Sequence, residues 1–488
     1  MQPEEQLLKQ RLDKLERIQK LGINPYPYKF KPENYSTEIL EKHTKLKNGQ
    51  KTKGKVILAG RIITLRPMGK IAFGHLQDYY GKVQFFINEK ELSKKEFELF
   101  NLLDLGDIIG IQGTVFKTKA GEITVLVKKL ELLTKSLRPL PDKWHGLKDI
   151  EERYRKRYVD LIANPEVKEI FIKKFKIINT IKETLNKEGY IEVDTPIIQP
   201  IYGGANAKPF KTYVNDLKRG AFLRISDELY LKRLIVGGFD KVYELNKDFR
   251  NESIDSTHNP EFNMVEFYQA YADYNDTMKL TEKIISNANK AIGNKSKVEF
   301  SGNKISLKTP FKVMTMKDAI KKYSGIDIDK LNDKELFKLK SKYNLEHKGS
   351  LTRGWMIQLL FEHFAEPKLI QPIFIVEHPR ETTPLCKASR KDPNLIERFE
   401  LFIGGFEISN GYSELNNPII QRKLLEEQAK ELREGIEEAN PMDEDFVRAI
   451  EQGMPPTSGV GIGIERLIMI LTGKDSIKEV ILFPMMKN

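Results

Sequence analysis

The chain has 488 residues, of which 40% are hydrophobic and 31% charged, with a formal net charge of +12. That length implies two or three domains, and no apolar run approaches the roughly 18 residues that mark a membrane span, so a membrane partner is not expected. The lone cysteine, Cys386, excludes an internal disulfide and fits a reducing, cytoplasmic setting, where its ordinary role is a small buried side chain.

The positive charge is unevenly placed. Residues 1–150 carry 28 Lys and Arg against 18 Asp and Glu, and the rest of the chain carries 53 against 51. A basic first third joined to a near-neutral remainder suggests that the first part meets a polyanion and the second does chemistry. A merely solubilising basic surface is the alternative.

In chain order, residues 1–50 predict a helix followed by an extended stretch rich in Pro and Tyr. The helix has apolar positions at Leu8, Leu12 and Leu15 and carries acids, unlike a signal or transit peptide. Over residues 51–135 three strand-like segments (KVILAGRIITLR, KIAFGHLQD, KVQFFIN) precede a short polar helix, and two more strands follow (GDIIGIQGTVFKT, GEITVLVKKLELL). That order predicts a five-stranded OB-type β-barrel. Such barrels hold single-stranded nucleic acid with a basic groove and aromatic platforms. Phe73 is a candidate to stack a base, with a core position as its bland alternative, and Gln84 and Glu122 are candidates to read base edges.

Residues 136–160 read as a Pro-containing linker, and 161–488 as a second domain. A helix is expected over 166–189, with apolar positions Ile170, Phe171, Phe175, Ile178, Ile181 and Leu185 and a stop at Gly189. YIEVDTPIIQP is strand-like, and Pro196 breaks its ladder. From Lys241 to Tyr274 two apolar segments flank a polar turn. They predict an antiparallel hairpin with Arg250 and Glu252 at the turn and two acids, Glu261 and Glu266, on the second strand. Residues 293–350, rich in Lys, read as a helical insertion.

Three separated stretches carry a resemblance to a known family: GYIEVDTPIIQP, FRNE…HNPEF with MVEFYQAYADY, and GVGIGIERLIMIL. With GGANAKPF, RISDELYLKRL and RFELFIGGFEISNGYSELNNP, they resemble the class II lysyl-tRNA synthetases over nearly the full length. The resemblance implies an α+β architecture, in which an N-terminal anticodon-binding barrel precedes an antiparallel sheet flanked by helices. It also implies a homodimer packed through the first motif around Pro196. The substrates implied are ATP, L-lysine and tRNA(Lys), with Mg²⁺ accompanying ATP.

Adenylate formation brings two anions together, so cations must sit between them. Arg250 fits the α-phosphate clamp, where a planar donor fork is needed, and Arg466 fits the far phosphate and adenine. Phe262 is a candidate to stack on adenine, and Glu252, His258 and Asn259 are candidates for the loop over the nucleotide. The resemblance assigns Glu400 and Glu407 to Mg²⁺; the Gly404–Gly405 turn between them would bring both carboxylates to one face, and two carboxylates plus phosphates suffice for that ion. Glu228, Glu266 and Glu414 are acids in apolar surroundings. A buried carboxylate without a partner is costly, and a bound ε-ammonium would supply one; pairing with internal Lys or Arg is the alternative. Tyr268, Asn410 and Tyr412 could line that pocket, and Gly204 could let backbone approach the α-amino group. Glu465 stands where relatives often have aspartate. The rival readings are an aspartyl- or asparaginyl-branch synthetase, a stand-alone lysine ligase lacking the barrel, and an inactive paralogue that binds RNA or protein.

Overall fold

The computed structural model describes residues 3–141, 149–347, 349–436 and 439–487. The chain divides into two compact units, Met1–Lys148 and Asp149–Asn488.

In the first unit, helices α1 (Pro3–Lys20) and α2 (Ser36–Lys42) precede a closed barrel. Its strands are β1 (Lys51–Met68), β2 (Ile71–Gln77), β3 (Lys82–Asn88), β4 (Ile108–Lys117) and β5 (Ile123–Thr134), and helix α3 (Lys94–Phe100) lies between β3 and β4. The barrel closes in the order β1-β2-β3-β5-β4, as the strand–helix–strand order predicts. Alternation sets its interior: Ala72 and Leu76 on β2, Val83, Phe85 and Ile87 on β3, and Ile109 and Ile111 on β4 are all buried. A reciprocal capping box between Ser93 and Glu96 starts α3, satisfying backbone N–H groups that the first turn leaves free.

The expected linker is corrected. Part of it (142–148) lies outside the described residues, and residues 150–155 and 157–160 are helical: α4 (Ile150–Arg155) and the start of α5 (Arg157–Ala163) belong to the second unit. Arg157 is buried there, pairing with Asp160 at 2.6 Å and donating to the Lys478 carbonyl at 2.8 Å.

In the second unit, α6 (Pro165–Lys187) starts with proline in its first turn and is followed by Gly189 at φ +84°. Ile181 and Leu185 are buried as expected, and so is Ile177, which the expected face omitted. Phe175 is instead 49% exposed, because the helix is apolar on more than one side. Strand β6 (Ile191–Glu192) follows, and Pro196 separates it from β7 (Ile198–Gln199), which joins a small sheet with β8 (Lys211–Val214) and β9 (Arg219–Leu223). Next come α7 (Glu228–Val236), β10 (Lys241–Phe249), β11 (Glu261–Ala270) and α8 (Tyr274–Ala291).

The segment expected as a helical insertion is helical only in its second part. It opens with a hairpin, β12 (Lys297–Phe300) and β13 (Asn303–Ser306), and then β14 (Lys312–Thr315) joins the main sheet. Helices α9 (Met316–Ser324) and α10 (Asp333–Lys342) follow and build a core of their own with α11 (Arg353–Phe364). The chain finishes with β15 (Ile373–Pro379), β16 (Leu395–Ile403), β17 (Phe406–Ser413), α12 (Pro418–Arg433), α13 (Glu444–Glu451), β18 (Thr457–Gly463), α14 (Ile464–Thr472) and α15 (Ile477–Val480).

The main sheet has eight strands in the order β14-β15-β16-β17-β18-β11-β10-β6. The six central strands are antiparallel, and the two edge strands pair in parallel. α6, α8 and α14 contribute Ile177, Ile181, Ile284, Leu467 and Ile468 to the core against one face. The opposite face carries the site.

Candidate active site

The floor of the site follows from sheet register. Glu244, Glu266, Gly461, Asn410 and Glu400 stand opposite one another across β10, β11, β18, β17 and β16. A neighbouring row holds Tyr268, Gly459, Tyr412 and Arg398. Residues in register project to the same side, and those two apart do so again, so both rows face the site. Strand β18 alternates accordingly. Val460 and Ile462 are buried in the core, each worth about 1.5–3 kcal/mol of burial, while the site face is glycine. A Cβ at Gly459 would come within 2.2 Å of the Tyr268 ring and 2.4 Å of the Glu414 carboxylate. Bare backbone at the centre of the sheet leaves a cavity of about 410 Å³.

One end of the cavity is acidic. Glu266 is 5% exposed and accepts hydrogen bonds from Ser226 Oγ (2.8 Å), Tyr268 Oη (3.0 Å) and the Asp227 N–H (3.2 Å). Among the described residues no lysine or arginine pairs with it. Burial, then the charges of Asp248 and Glu228, push its pKa up to about 8. The other two acids correct the expectation that all three lack a protein cation. Lys232 stands one helical turn after Glu228 on α7; its Nζ lies 2.5 Å from Glu228 and also pairs with Glu414. Burial opposes the charge of Lys232, but the two carboxylates overcome it and hold its pKa above the usual lysine value. Tyr412 Oη donates to Glu228 at 2.6 Å. Two of the three carboxylates thus share one ammonium, and the acid left over is Glu266. Gly204 adopts φ +91°, and a Cβ there would sit 2.8 Å from Ser226 Oγ, so only glycine lets this loop pass so close.

The other end is cationic. Arg250 ends the β10 side of the hairpin, and its guanidinium reaches the Ile225 carbonyl at 3.4–3.5 Å and lies 5.1 Å from the centre of the Phe262 ring. No carboxylate pairs with it among the described residues. Arg466, on α14, donates to the Glu407 carbonyl at 3.0 Å and to His258 Nε2 at 2.9 Å. A guanidinium only donates, so Nε2 carries the lone pair and Nδ1 carries the proton given to Asp255 at 2.9 Å. Although burial opposes it, hydrogen bonds from Thr257 and His258 hold the Asp255 carboxyl at about 2. Glu252 accepts from the Lys208 N–H at 3.3 Å, and Asn259 Nδ2 donates to the Glu261 carbonyl at 2.7 Å. Glu261 itself lies outside the site: five residues from Glu266, it faces the other way and pairs with exposed Lys247 at 3.1 Å.

The hairpin of β16 and β17 turns at Gly404 and Gly405, at φ +69° and +82°. Glu407 lines the cavity, whereas Glu400 lies beside it, paired with Arg398. Burial and then the charge of Glu400 raise the pKa of Glu407. Among the described residues no group of three or more His, Cys, Asp or Glu is arranged to hold a metal. Two carboxylates therefore fit Mg²⁺ only when phosphate oxygens complete its coordination.

All the nucleotide and lysine candidates except Glu400 line this cavity. Sequence reasoning missed Arg398, Lys232 and Ser226. The first two had signals: Arg398 and Glu400 share a strand face at period two, and Lys232 follows Glu228 at the i+4 helical spacing. Glu465, the departure from relatives, is buried; it pairs with Lys174 at 2.9 Å and accepts from the Asn263 N–H at 2.8 Å, so it joins α14 to α6 and β11.

In the barrel, Phe73 is half-buried on β2, off the core face, with its ring 4.6 Å from that of Phe86. Gln84 Nε2 donates to Glu122 at 2.6 Å, and His75 Nε2 lies 2.8 Å from the same carboxylate. The three candidates thus belong to one open barrel surface, and His75 is the member the sequence reading left out.

Residues 149–487 match the model of class II tRNA synthetases (D, K and N), and residues 56–133 match that of the OB-fold nucleic acid binding domain. The chain is similar to lysine–tRNA ligases from Methanoculleus marisnigri (48% identical; 98% of this chain and 94% of the relative), Pelotomaculum thermopropionicum (49%; 99% and 95%) and Carboxydothermus hydrogenoformans (48%; 99% and 98%). With a barrel, a glycine-floored antiparallel sheet and likeness over both domains, the chain belongs to the class II tRNA synthetases and, within them, to the lysine–tRNA ligase family.

Proposed function

We propose that the cavity is where this ligase joins L-lysine to ATP before passing it to tRNA(Lys). The observation that carries the reading is polarity within one hollow: among the described residues, Glu266 is a buried carboxylate without a protein cation at one end, and Arg250 and Arg466 are guanidiniums without carboxylate partners at the other.

Glu266 takes the ε-ammonium, held for it by Ser226, Tyr268 and the Asp227 N–H. Lys232 keeps Glu228 and Glu414 in place beside it, and Tyr412 fixes Glu228. Gly204 admits the α-amino group, and Asn410 lines the floor. The lysine carboxylate is already ionised at pH 7, so no base is needed for its attack on the α-phosphorus. Arg250 offsets the charge that builds there, as the bond to the β-phosphate oxygen breaks and pyrophosphate leaves. Phe262 stacks on adenine next to Arg250, while Arg466, His258, Asn259 and Glu252 enclose the nucleotide. Glu400 and Glu407 would hold Mg²⁺ together with phosphate oxygens, and the ion would supply further charge neutralisation. The 3′-hydroxyl of the tRNA then attacks the carbonyl of the adenylate, and AMP leaves.

Phe73, Gln84 and Glu122 receive the anticodon on the barrel, whose basic balance favours RNA. Exposed apolar side chains around the first motif, among them Phe175, Ile191 and Ile198 at 49%, 54% and 55% exposure, support burial against a second copy of the chain. No helix among the described residues is long and apolar enough to cross a membrane; ATP and tRNA as substrates support a cytoplasmic site of action.

The test is ATP–pyrophosphate exchange with each amino acid, followed by charging of a tRNA pool with labelled lysine. Exchange with lysine alone is expected. Exchange with aspartate or asparagine and none with lysine would overturn the reading.

A further inference from the structure

Behind the acidic end of the cavity lies a guanidinium that the reaction itself does not use. Arg224 follows β9 and is fully buried. Its Nε donates to the Lys247 carbonyl at 2.9 Å, and its Nη1 lies 2.7 Å from Glu244 and 2.8 Å from Asp227. Asp248 stands 3.4 Å from Nε. All three acids are buried. The backbone of Arg224 is held as well: its N–H donates to the Ile197 carbonyl at 2.9 Å, and its carbonyl accepts from the Phe249 N–H at 3.0 Å. One residue therefore ties the run 224–228 to β10 at Glu244, Lys247 and Asp248, just ahead of Arg250.

That short run serves both ends of the cavity. The Ile225 carbonyl receives the Arg250 guanidinium. Ser226 Oγ and the Asp227 N–H hold Glu266. Glu228 N–H donates to Ser226 Oγ at 3.2 Å, and the Glu228 side chain pairs with Lys232. Moving the run by a fraction of an ångström would shift the ammonium site and the phosphate clamp together.

We infer that Arg224 is a positioning residue that couples the lysine pocket to the α-phosphate clamp by anchoring the run 224–228 to β10. The inference rests on the reading of the cavity given above. A guanidinium suits the task because its planar fork reaches a carbonyl and two carboxylates in different directions, which the point charge of a lysine cannot do. The anchor is under electrostatic load. Both oxygens of Asp227 and Asp248 and one of Glu244 are buried without an aligned hydrogen-bond partner, and one cation faces three acids. Burial and the neighbouring acids raise the pKa of Asp227 well above its usual range. Loss of the cation from such a cluster leaves buried carboxylates uncompensated.

The test is calorimetric titration of the full-length protein with L-lysine, with and without α,β-methylene-ATP, in wild type, Arg224→Lys and Glu244→Leu. In wild type the analogue is expected to change lysine affinity by about tenfold, within the usual range for coupled sites. In either variant that factor should fall towards one, and the KM values for lysine and ATP in pyrophosphate exchange should rise together. A role confined to packing would lower the melting temperature and leave the factor unchanged. Glu244→Leu leaves Arg224 with two acids, so it decides the matter if Arg224→Lys fails to fold. Folded variants with wild-type coupling, or a wild type that binds lysine with no coupling to the analogue, would overturn the inference. A wild type that binds no lysine would instead refute the reading of the cavity.

Discussion

Glu266 should make lysine binding depend on pH. In the free protein its pKa is about 8, raised by burial first and by Asp248 and Glu228 next, so at pH 7 the carboxyl is mostly protonated. In the proposed complex the ε-ammonium pairs with the ionised form, so lysine should lower this pKa on binding. Between the two values one proton leaves for each lysine bound. Ionising the acid beforehand costs about 1.4 kcal/mol at pH 7 and about 2.7 kcal/mol at pH 6, at 1.36 kcal/mol per unit. Lysine Kd should therefore fall about tenfold per pH unit from pH 6 to 8, then level off until lysine loses its own proton near pH ~10. Calorimetry at pH 7 in buffers of different ionisation enthalpy should show nearly one proton released. Glu266→Gln should weaken lysine and flatten the profile. The stability effect has the opposite sense: a carboxyl with a raised folded-state pKa contributes most below its unfolded value and loses that contribution as pH rises towards 8. Removing the charge should therefore stabilise the ligand-free protein at pH 7 by up to about 3 kcal/mol, the integral between 4.5 and 7. A lysine Kd constant from pH 6 to 8, with no proton exchanged, would refute this reasoning.

Other outcomes follow from the same geometry. Arg250→Ala should lower pyrophosphate exchange by about 10²–10³-fold, the scale for losing a donor at developing charge, while a filter assay shows tRNA binding retained. Lys232→Met leaves Glu228 and Glu414 buried without their cation, and denaturant titration at pH 7 should show a loss of about 3–5 kcal/mol; acid should narrow the gap by protonating both carboxylates. Gly459→Ala drives a methyl group into the Tyr268 ring and the Glu414 carboxylate; the expected cost is about 1–3 kcal/mol of stability, with a higher KM for lysine in the folded fraction. Phe73→Ala should weaken an anticodon stem–loop by about 1–3 kcal/mol, measured by fluorescence anisotropy, without changing pyrophosphate exchange.

Much of the molecule was legible from local pattern. Period-two alternation and turn residues mark the five barrel strands, because a closed sheet must bury every second side chain. Arg250 and Arg466 stood out because a phosphate site needs guanidiniums. Other features depend on which segments meet. Glu266, Gly461, Asn410 and Glu400 share a row only because β11, β18, β17 and β16 are neighbours, an order that their own residues do not encode. The β-structure at 297–315 was hidden because short, Lys-rich strands carry little apolar alternation.

The two-domain plan, the barrel and most of the residues around the cavity follow from spacing within single segments, which local pattern carries without any knowledge of the fold. Which acid is left without a cation among the described residues follows from the fold alone. Glu228, Glu266 and Glu414 look alike along the chain, but Lys232 reaches the first and last, and a buried charge takes its partner from whatever lies within a few ångströms in space.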